Sequence, residues 1–147
     1  MAQETRPLRT TGRLFAVVDD PATAPAIVTA LGQAGISQDA VTILRGTAGA
    51  DRIDASGAAT GMGARIRQLL SFTLVDQMPD FILYEAAVRD GRVVVAIRVR
   101  SEKAKTAAIA ILRQHGGHFI NFYGRFATEE YDLWRGPELA IPGVLKR

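Results

Sequence analysis

One stretch decides the fold: Arg92-Val93-Val94-Val95-Ala96-Ile97-Arg98-Val99-Arg100. It is predicted to be a strand, and the residues after it have the pattern of a helix and of a second strand in the same sheet. Its valines and isoleucine are typical of a β-strand. Ser101 then supplies an N-cap, and apolar residues recur at helical spacing from Ala104 to His115. Gly116-Gly117 ends that helix, and residues 118–123 form the next apolar run. This part of the sequence therefore predicts a strand–helix–strand unit.

The same unit is predicted near the N-terminus. Residues 13–19 form a short, continuous apolar run that is typical of a strand buried on both faces. Asp20 is a cap residue, a helix is expected to begin after Thr23, and Gly35 ends it before a second strand at 41–44. The two halves align along the chain, with caps, helix stops and strand phase in matching positions: Asp20 with Ser101, Leu31 with Leu112, and Gly35 with Gly116.

Two such units in one short chain predict an α+β fold, the ferredoxin-like split βαβ sandwich, with strand order 4-1-3-2. Between the second and third strands, residues 46–91 form an insertion. It consists of a glycine-rich loop at 46–63 and two predicted helices after that loop. We expect the following division: an N-terminal arm at 1–12, the ferredoxin-like domain at 13–126, and an extended C-terminal tail at 127–147.

Length and composition fit one globular domain. The chain has 147 residues, of which 48% are apolar and 22% are charged, and its formal net charge is +3. It has no cysteine, which excludes disulfides, thiol nucleophiles and thiolate metal sites. We found no apolar run long enough for a membrane span or a signal peptide, so we expect a cytoplasmic protein without membrane contact.

Several residues resemble the heat-induced, general-stress-protein domain of bacteria. Tyr84-Glu85, Val88 and Gly91 are followed by the valine-rich strand at 93–99 and by a helix that ends Ile111-Leu112 to Gly116. Further similarities are the Asp19-Asp20 pair, Gly35, the segment 120–126 and Thr128-Glu129-Glu130. The resemblance covers about residues 13–130. It implies a ferredoxin-like fold and a link to stress, and it supplies no catalytic residue.

The motifs that could carry chemistry are better explained by structure. The glycines of 46–63 precede a predicted helix, which would suit a phosphate cradle, but no Lys-Ser/Thr follows them, so a flexible linker is favoured. His115 and His118 form an H-x-x-H pair that a helix end and its turn would separate. Asp19-Asp20 is better explained by capping than by catalysis. We therefore expect no catalytic residue, no metal site and no cofactor.

A ligand pocket is the remaining small-molecule hypothesis. On a ferredoxin-like sheet, four polar residues would line it: Arg98, His118, Asn121 and Tyr123. Nucleic-acid binding is not expected, because the third strand has no aromatic residue and the aromatic cluster Phe119, Phe122, Tyr123 and Phe126 falls on and after an edge strand. The one observation in favour of nucleic-acid binding is the surplus of cations from Arg92 to Arg113, which could bind an anion.

Oligomerisation follows from the sheet face that the expected fold leaves open. That face is apolar and larger than a monomer normally exposes, with Phe15, Val17, Val94 and Ala96 on it. We expect a homodimer or larger assembly through this face, unless the inserted helices or the tail cover it. The tail is too apolar for disorder, so we expect Trp134 and the region of Ile141 to dock on a folded surface.

The hypothesis that follows is a non-enzymatic, stress-associated domain that acts as an oligomeric interaction module or as a sensor of a small ligand. The ligand is not identified by the sequence. The alternative is a cofactor-free small-molecule enzyme built on a dimeric ferredoxin-like fold, an analogy that rests on fold alone.

Overall fold

A five-stranded antiparallel sheet is the centre of an α+β structure. The computed structural model describes residues 9–53, 78–137 and 139. Its strands are β1 (Arg13–Val18), β2 (Val41–Leu44), β3 (Val93–Arg98), β4 (His118–Tyr123) and β5 (Thr128–Asp132). The α-helices within the described ranges are α1 (Ala24–Gln33), α2 (Gly46–Ile53), α3 (Met78–Arg89) and α4 (Glu102–Gln114).

The strands lie in the order β2-β3-β1-β4-β5, so β1 and β3 are adjacent central strands. Their register places Arg13 opposite Arg98 at one end and Val18 opposite Val93 at the other. On its other side β1 pairs with β4, with Arg13 opposite Tyr123. A bulge interrupts β4, where Phe119 has a φ of 49°. At each end of β1, residues of three strands, β3, β1 and β4, therefore lie side by side.

The helix starts lie where the cap residues predict them. Ser101 accepts a hydrogen bond from the backbone N–H of Ala104 at 3.1 Å and caps α4. Asp20 accepts from the N–H of Ala22 at 3.0 Å, which caps the short 3-10 turn Pro21–Thr23. The α-helix proper then begins at Ala24. Pro25 therefore falls in the first turn, where a missing N–H removes no helical hydrogen bond.

Helices cover both faces of the sheet. On one face, Leu14, Ala16 and Val18 pack with residues of α1 and α4, among them Ile27 and Leu112. On the other face, Phe15 and Val17 pack with residues of α2 and α3. The ring of Phe15 lies 5.4 to 5.6 Å from those of Phe81, Tyr84 and Tyr123. The alternating side chains of β1 thus enter two separate cores.

The expectation of an open sheet face is wrong. The four residues assigned to a dimer face, Phe15, Val17, Val94 and Ala96, are each at most 1% exposed within one chain. The helices α2 and α3 bury them, so this face is not available to a second copy. The apolar pattern on both faces of β1 and β3 reflects two intramolecular cores.

The loop predicted at 46–63 is also wrong for its first part, because Gly46–Ile53 is helix α2. Its Gly49 is buried, and a Cβ there would lie 2.8 Å from the carbonyl carbon of Leu44. Close packing of α2 on β2 therefore requires this glycine, which sequence analysis assigned to a flexible loop. The second predicted helix of the insertion is present as α3. The first one, and the glycines considered for a phosphate cradle, lie outside the described residues.

The extended tail expected at 127–147 is in part a strand of the sheet. Part of the segment assigned to an extended tail is strand β5, which pairs with β4 and widens the sheet. Beyond it, the N–H of Phe119 donates to the carbonyl of Leu133 at 3.0 Å, and Leu139 is buried in the core under α3. Trp134 packs against the same core, as predicted. The region of Ile141 lies outside the described residues.

Candidate functional site

His118 lies at the end of the sheet where β4 begins, and we call this the closed end, with Asp19, Arg92 and Trp134 as its other members. The Nε2 atom of His118 is 2.7 Å from Asp19 Oδ1, and its ring contacts the indole of Trp134 edge to face. Arg92 donates to the same Asp19 oxygen at 3.0 Å and also pairs with Asp90. The charged groups at this end therefore satisfy one another.

The tautomer of His118 follows from these partners. The backbone N–H of Arg135 donates to Nδ1 at 3.0 Å, so Nδ1 is the acceptor and Nε2 carries the proton that is donated to Asp19. Partial burial opposes ionisation of Asp19, but the hydrogen bonds from His118 and Arg92, together with the positive charge of Arg92, outweigh it and lower the pKa of this carboxyl. Both ring nitrogens have a hydrogen-bond partner, and the bond to the N–H of Arg135 attaches the C-terminal segment to the sheet.

Asn121 lies in the core beneath α3, where it is 2% exposed. Its Nδ2 donates to the hydroxyl of Tyr84 at 2.9 Å, and that hydroxyl donates to the carbonyl of Phe119 at 2.7 Å. Burial raises the pKa of Tyr84, which keeps the hydroxyl neutral. The carbonyl belongs to the residue at the β4 bulge, whose backbone leaves the regular ladder. Tyr84 and Asn121 thus complete the hydrogen bonding of the irregular strand.

Tyr123 lies at the opposite end of β4, where its hydroxyl donates to Asp80 Oδ2 at 3.0 Å. Asp80 is in the first turn of α3. Burial raises the pKa of Asp80, the hydrogen bond from Tyr123 opposes this, and the charge of Glu130 adds to it. The pair attaches the start of α3 to the end of β4.

Arg13 and Arg98 are directly opposite each other on β1 and β3. Together with Tyr123, the neighbour of Arg13 on its other side, they define what we call the basic end of the sheet. Like charges in directly opposed positions repel each other. Among the residues that the structure describes, no carboxylate forms an ion pair with either arginine. The basic end therefore differs from the closed end in that its two strand arginines have no ion-pair partner among the described carboxylates.

The Nε of Arg13 is buried and has no hydrogen-bond partner. A terminal nitrogen of the same guanidinium donates to the carbonyl of Arg9 at 2.8 Å. Burial lowers the pKa of Arg13, and the charges of Arg98, Arg52 and Arg9 lower it further. An unpaired buried donor is costly, and here several positive charges add to that cost. This geometry is what an oxyanion would complete, because a guanidinium offers its donors as a planar fork.

Comparison of the chain with protein-family models, with curated proteins and with solved structures gives no match. The resemblance to the stress-protein domain therefore stays a prediction. The residues that carry it have structural roles here: Tyr84 bonds the β4 bulge, and Glu85 is buried and accepts from Arg89 Nε at 2.8 Å.

The structure does not bring the four predicted pocket residues together. Arg98 lies at the basic end and His118 at the closed end. Asn121 and Tyr123 are buried and hydrogen-bonded to α3. His115 does not join His118, because its Nδ1 is 2.8 Å from the carbonyl of Ile111 in its own helix. In the described ranges no group of three or more His, Asp or Glu side chains could hold a metal ion, and no helix could cross a membrane.

Arg13 is the functional candidate that sequence analysis missed. Its signal was present, because both central strands have an arginine at the position where they reach the same end of the sheet. An antiparallel register between the first and third strands would have placed Arg13 opposite Arg98.

Proposed function

We propose that this chain is a non-enzymatic ligand-binding domain and that its basic end captures a small oxyanion. The observation that carries the proposal is the buried Nε of Arg13, which has no acceptor and lies among like charges. A phosphate or carboxylate oxygen placed between Arg13 and Arg98 would accept from both guanidiniums. It would supply the partner that Nε lacks and offset the repulsion between the two strands.

The fold supports such a role by holding both arginines on rigid strands. Arg13 and Arg98 are on the face that α2 and α3 cover, in line with Phe15 and Ala96 of the core. Because their backbones belong to the central ladder, their spacing is fixed before any ligand arrives. Preorganised donors lose less entropy on binding than donors on loops.

We further propose a ferredoxin-like unit made of β1 to β4 with α1 and α4. It is supported by the alignment of the two halves and by the neighbouring order β2-β3-β1-β4. In this proposal α2, α3 and β5 are additions to that unit. The stress-associated role and a homo-oligomeric state also remain proposals. Light scattering tests the second, and a mass of 15.8 kDa at micromolar concentration would contradict it.

Thermal unfolding in the presence of anions tests the oxyanion site. The wild-type protein should be stabilised by inorganic phosphate relative to chloride at equal ionic strength, with a shift that grows with the logarithm of concentration above Kd. Arg98→Gln should abolish this shift. The variant itself should fold with near wild-type stability, because it removes a like-charge pair.

The matched control is Arg45→Gln. Arg45 is exposed and follows Leu44, which pairs with Val94 near the closed end. It removes the same charge without touching the basic end, so the phosphate-induced shift should remain. If phosphate stabilises Arg98→Gln as much as the wild-type protein, or stabilises neither, the basic end is not the oxyanion site.

A further inference from the structure

The basic end also carries an exposed aromatic ring. Phe126 is 93% exposed, and among the described residues only Leu133 is another large hydrophobic side chain that is exposed. Phe126 lies in the turn between β4 and β5, which a hydrogen bond from the N–H of Gly124 to the carbonyl of Ala127 closes at 2.9 Å. The guanidinium of Arg125 lies 5.6 Å from the centre of the ring. The short turn therefore presents a flat apolar surface next to a cation.

The backbone places this turn beside the two arginines. The N–H of Gly12 donates to the carbonyl of Tyr123 at 2.7 Å, and the N–H of Val99 donates to the carbonyl of Gly12 at 3.2 Å. The residues that extend β1, β3 and β4 are thus hydrogen-bonded to one another beyond the regular sheet. Arg100 and Arg125, one and two residues beyond this point, are exposed at the same end as Arg13 and Arg98.

The charge at this end exceeds what a single small oxyanion requires. Its cations are Arg9, Arg13, Arg98, Arg100 and Arg125. Three of the carboxylates near it have partners of their own: Asp80 accepts from Tyr123, and Glu102 and Glu129 pair with Lys105. Glu130 adds one exposed negative charge near Asp80, against five cations. A row of guanidiniums fits a chain of phosphates, and an exposed aromatic ring fits a base that is free to stack.

We infer that the basic end binds single-stranded nucleic acid, with a backbone phosphate between Arg13 and Arg98 and a base stacked on Phe126. This inference rests on the proposed function, because the same arginine pair holds the phosphate. The strand is single because bases in a duplex are not available to a protruding ring. Recognition is independent of sequence, because stacking and phosphate contacts do not read base edges.

This inference revises the expectation that nucleic acid is not a partner. That expectation rested on the absence of aromatic residues from the third strand, as in domains that bind RNA on the sheet face. Here helices cover both faces of the central strands, so no base can stack on those faces, whereas the strand ends and the β4–β5 turn stay accessible.

Fluorescence anisotropy with labelled oligo(dT) and oligo(U) tests the inference. Phe126→Ala should weaken binding about five-fold or more, because stacking contributes strongly for each base. The matched control is Leu133→Ala, which removes the other exposed apolar side chain, 74% exposed and beyond the far end of β5, and should leave affinity unchanged. Arg98→Gln should weaken binding and reduce the slope of log K against log salt by about 0.7, the value for one phosphate contact on a single strand.

The outcomes separate the two proposals. If phosphate stabilises the protein through Arg98 but the oligonucleotides do not bind, or bind Phe126→Ala as tightly as the wild type, the nucleic-acid inference is wrong and the oxyanion site stands. If neither phosphate nor oligonucleotide responds to Arg98→Gln, both are wrong. Binding to vesicles rich in anionic lipid that is tighter than to the oligonucleotides, and that depends on Phe126, would overturn the inference in favour of a membrane surface.

Discussion

The two ends of the central strands differ in whether their charged side chains have hydrogen-bond partners within the protein. At the closed end, Asp19 lies between His118 and Arg92, and each of these groups has a hydrogen-bond partner. At the basic end, Arg13 and Arg98 lie opposite each other and the Nε of Arg13 has no acceptor. Both ends belong to the same three strands, so strand geometry does not explain the difference. The difference arises from the residues at the two ends of β1: Asp19 directly follows its last residue, whereas Arg13 is its first residue.

The comparison separates polar residues that stabilise the fold from those available for binding. Three residues have side chains of the types that active sites use, namely His118, Tyr84 and Asn121. Their hydrogen bonds are made within the protein. The arginines of the basic end have no ion-pair partner among the described carboxylates, and the Nε of Arg13 retains its donor capacity. Our proposal therefore rests on a buried group with unmet hydrogen bonds and not on a chemically versatile side chain.

Removing the segment that covers the closed end should have the largest effect. Truncation after Asp132 deletes Trp134 and the buried Leu139, together with the backbone donor to His118. The free energy of unfolding should fall by about 3 kcal/mol or more, from lost apolar burial. Urea denaturation measures it, with Leu133→Ala as the control that should change little. Equal stability of truncated and full-length chains would show that the closed end is not held by this segment.

His118→Ala should have the next largest effect. It leaves the N–H of Arg135 without its acceptor, removes one of the two donors to Asp19 and removes the contact with Trp134, which together should cost about 2 kcal/mol. His115→Ala is the control, because that ring makes one bond to its own helix and should cost less than about 1 kcal/mol. Similar losses for the two variants would mean that the closed end has no special role in stability.

Asp19→Asn should destabilise the protein by less than about 1 kcal/mol at neutral pH, because the amide replaces a charge-assisted bond with a neutral one and solvent screens this exposed carboxylate. The folded-state pKa of Asp19 is lowered, so its contribution is present above the ordinary aspartate pKa of about 4 and is lost as pH falls through the folded value. The difference between wild type and variant should therefore shrink on acidification below about pH 4. A difference that stays constant as the pH falls well below about 4 would contradict the lowered pKa.

Asp80→Asn should give the smallest effect, with the opposite sign. Burial raises the pKa of Asp80, so its ionised form is unfavourable in the folded protein. The amide can still accept from Tyr123, and the variant should be more stable than wild type at neutral pH by less than about 1 kcal/mol. The gain should disappear below about pH 4, where aspartate is protonated in the unfolded chain too. A loss of stability at neutral pH would mean that Asp80 is satisfied as an anion.

Much of the fold was predictable because local signals agree with tertiary structure. Ser101 and Asp20 cap helical turns where expected, and the apolar runs at 13–18 and 93–98 are the central strands. These features depend on neighbours in sequence, which the chain itself displays. The cover of the second face was not predictable in this way, because it depends on where the inserted helices pack.

Two errors have the same physical origin. The glycine-rich pattern around Gly49 predicts a flexible linker, although this glycine lets α2 approach the backbone of Leu44. The acidic run at Thr128–Asp132 was assigned to a tail, although Lys105 and Arg113 of α4 neutralise Glu129 and Asp132 and allow the strand to join the sheet. In both cases a contact with a distant element reverses the local preference.

The candidate site was predictable only in part. Arg98 was named, but its partner Arg13 was not, because a like-charge pair is recognised only after the strand register is known. The exposure of Phe126 also depends on the turn that follows β4. Pairing and exposure are properties of the folded chain, and residue type alone does not determine them.

The position of Trp134 gives the protein a built-in optical reporter. It is the one tryptophan in the sequence, and its ring lies 4.8 Å from that of His118 and 5.6 Å from the guanidinium of Arg92. Its emission therefore reports on one end of the sheet alone. Detachment of the C-terminal segment would move the indole into water and shift its emission to longer wavelength, whereas occupation of the arginine pair would leave the spectrum unchanged. A single untagged sample can thus distinguish opening of the structure from capture of a ligand.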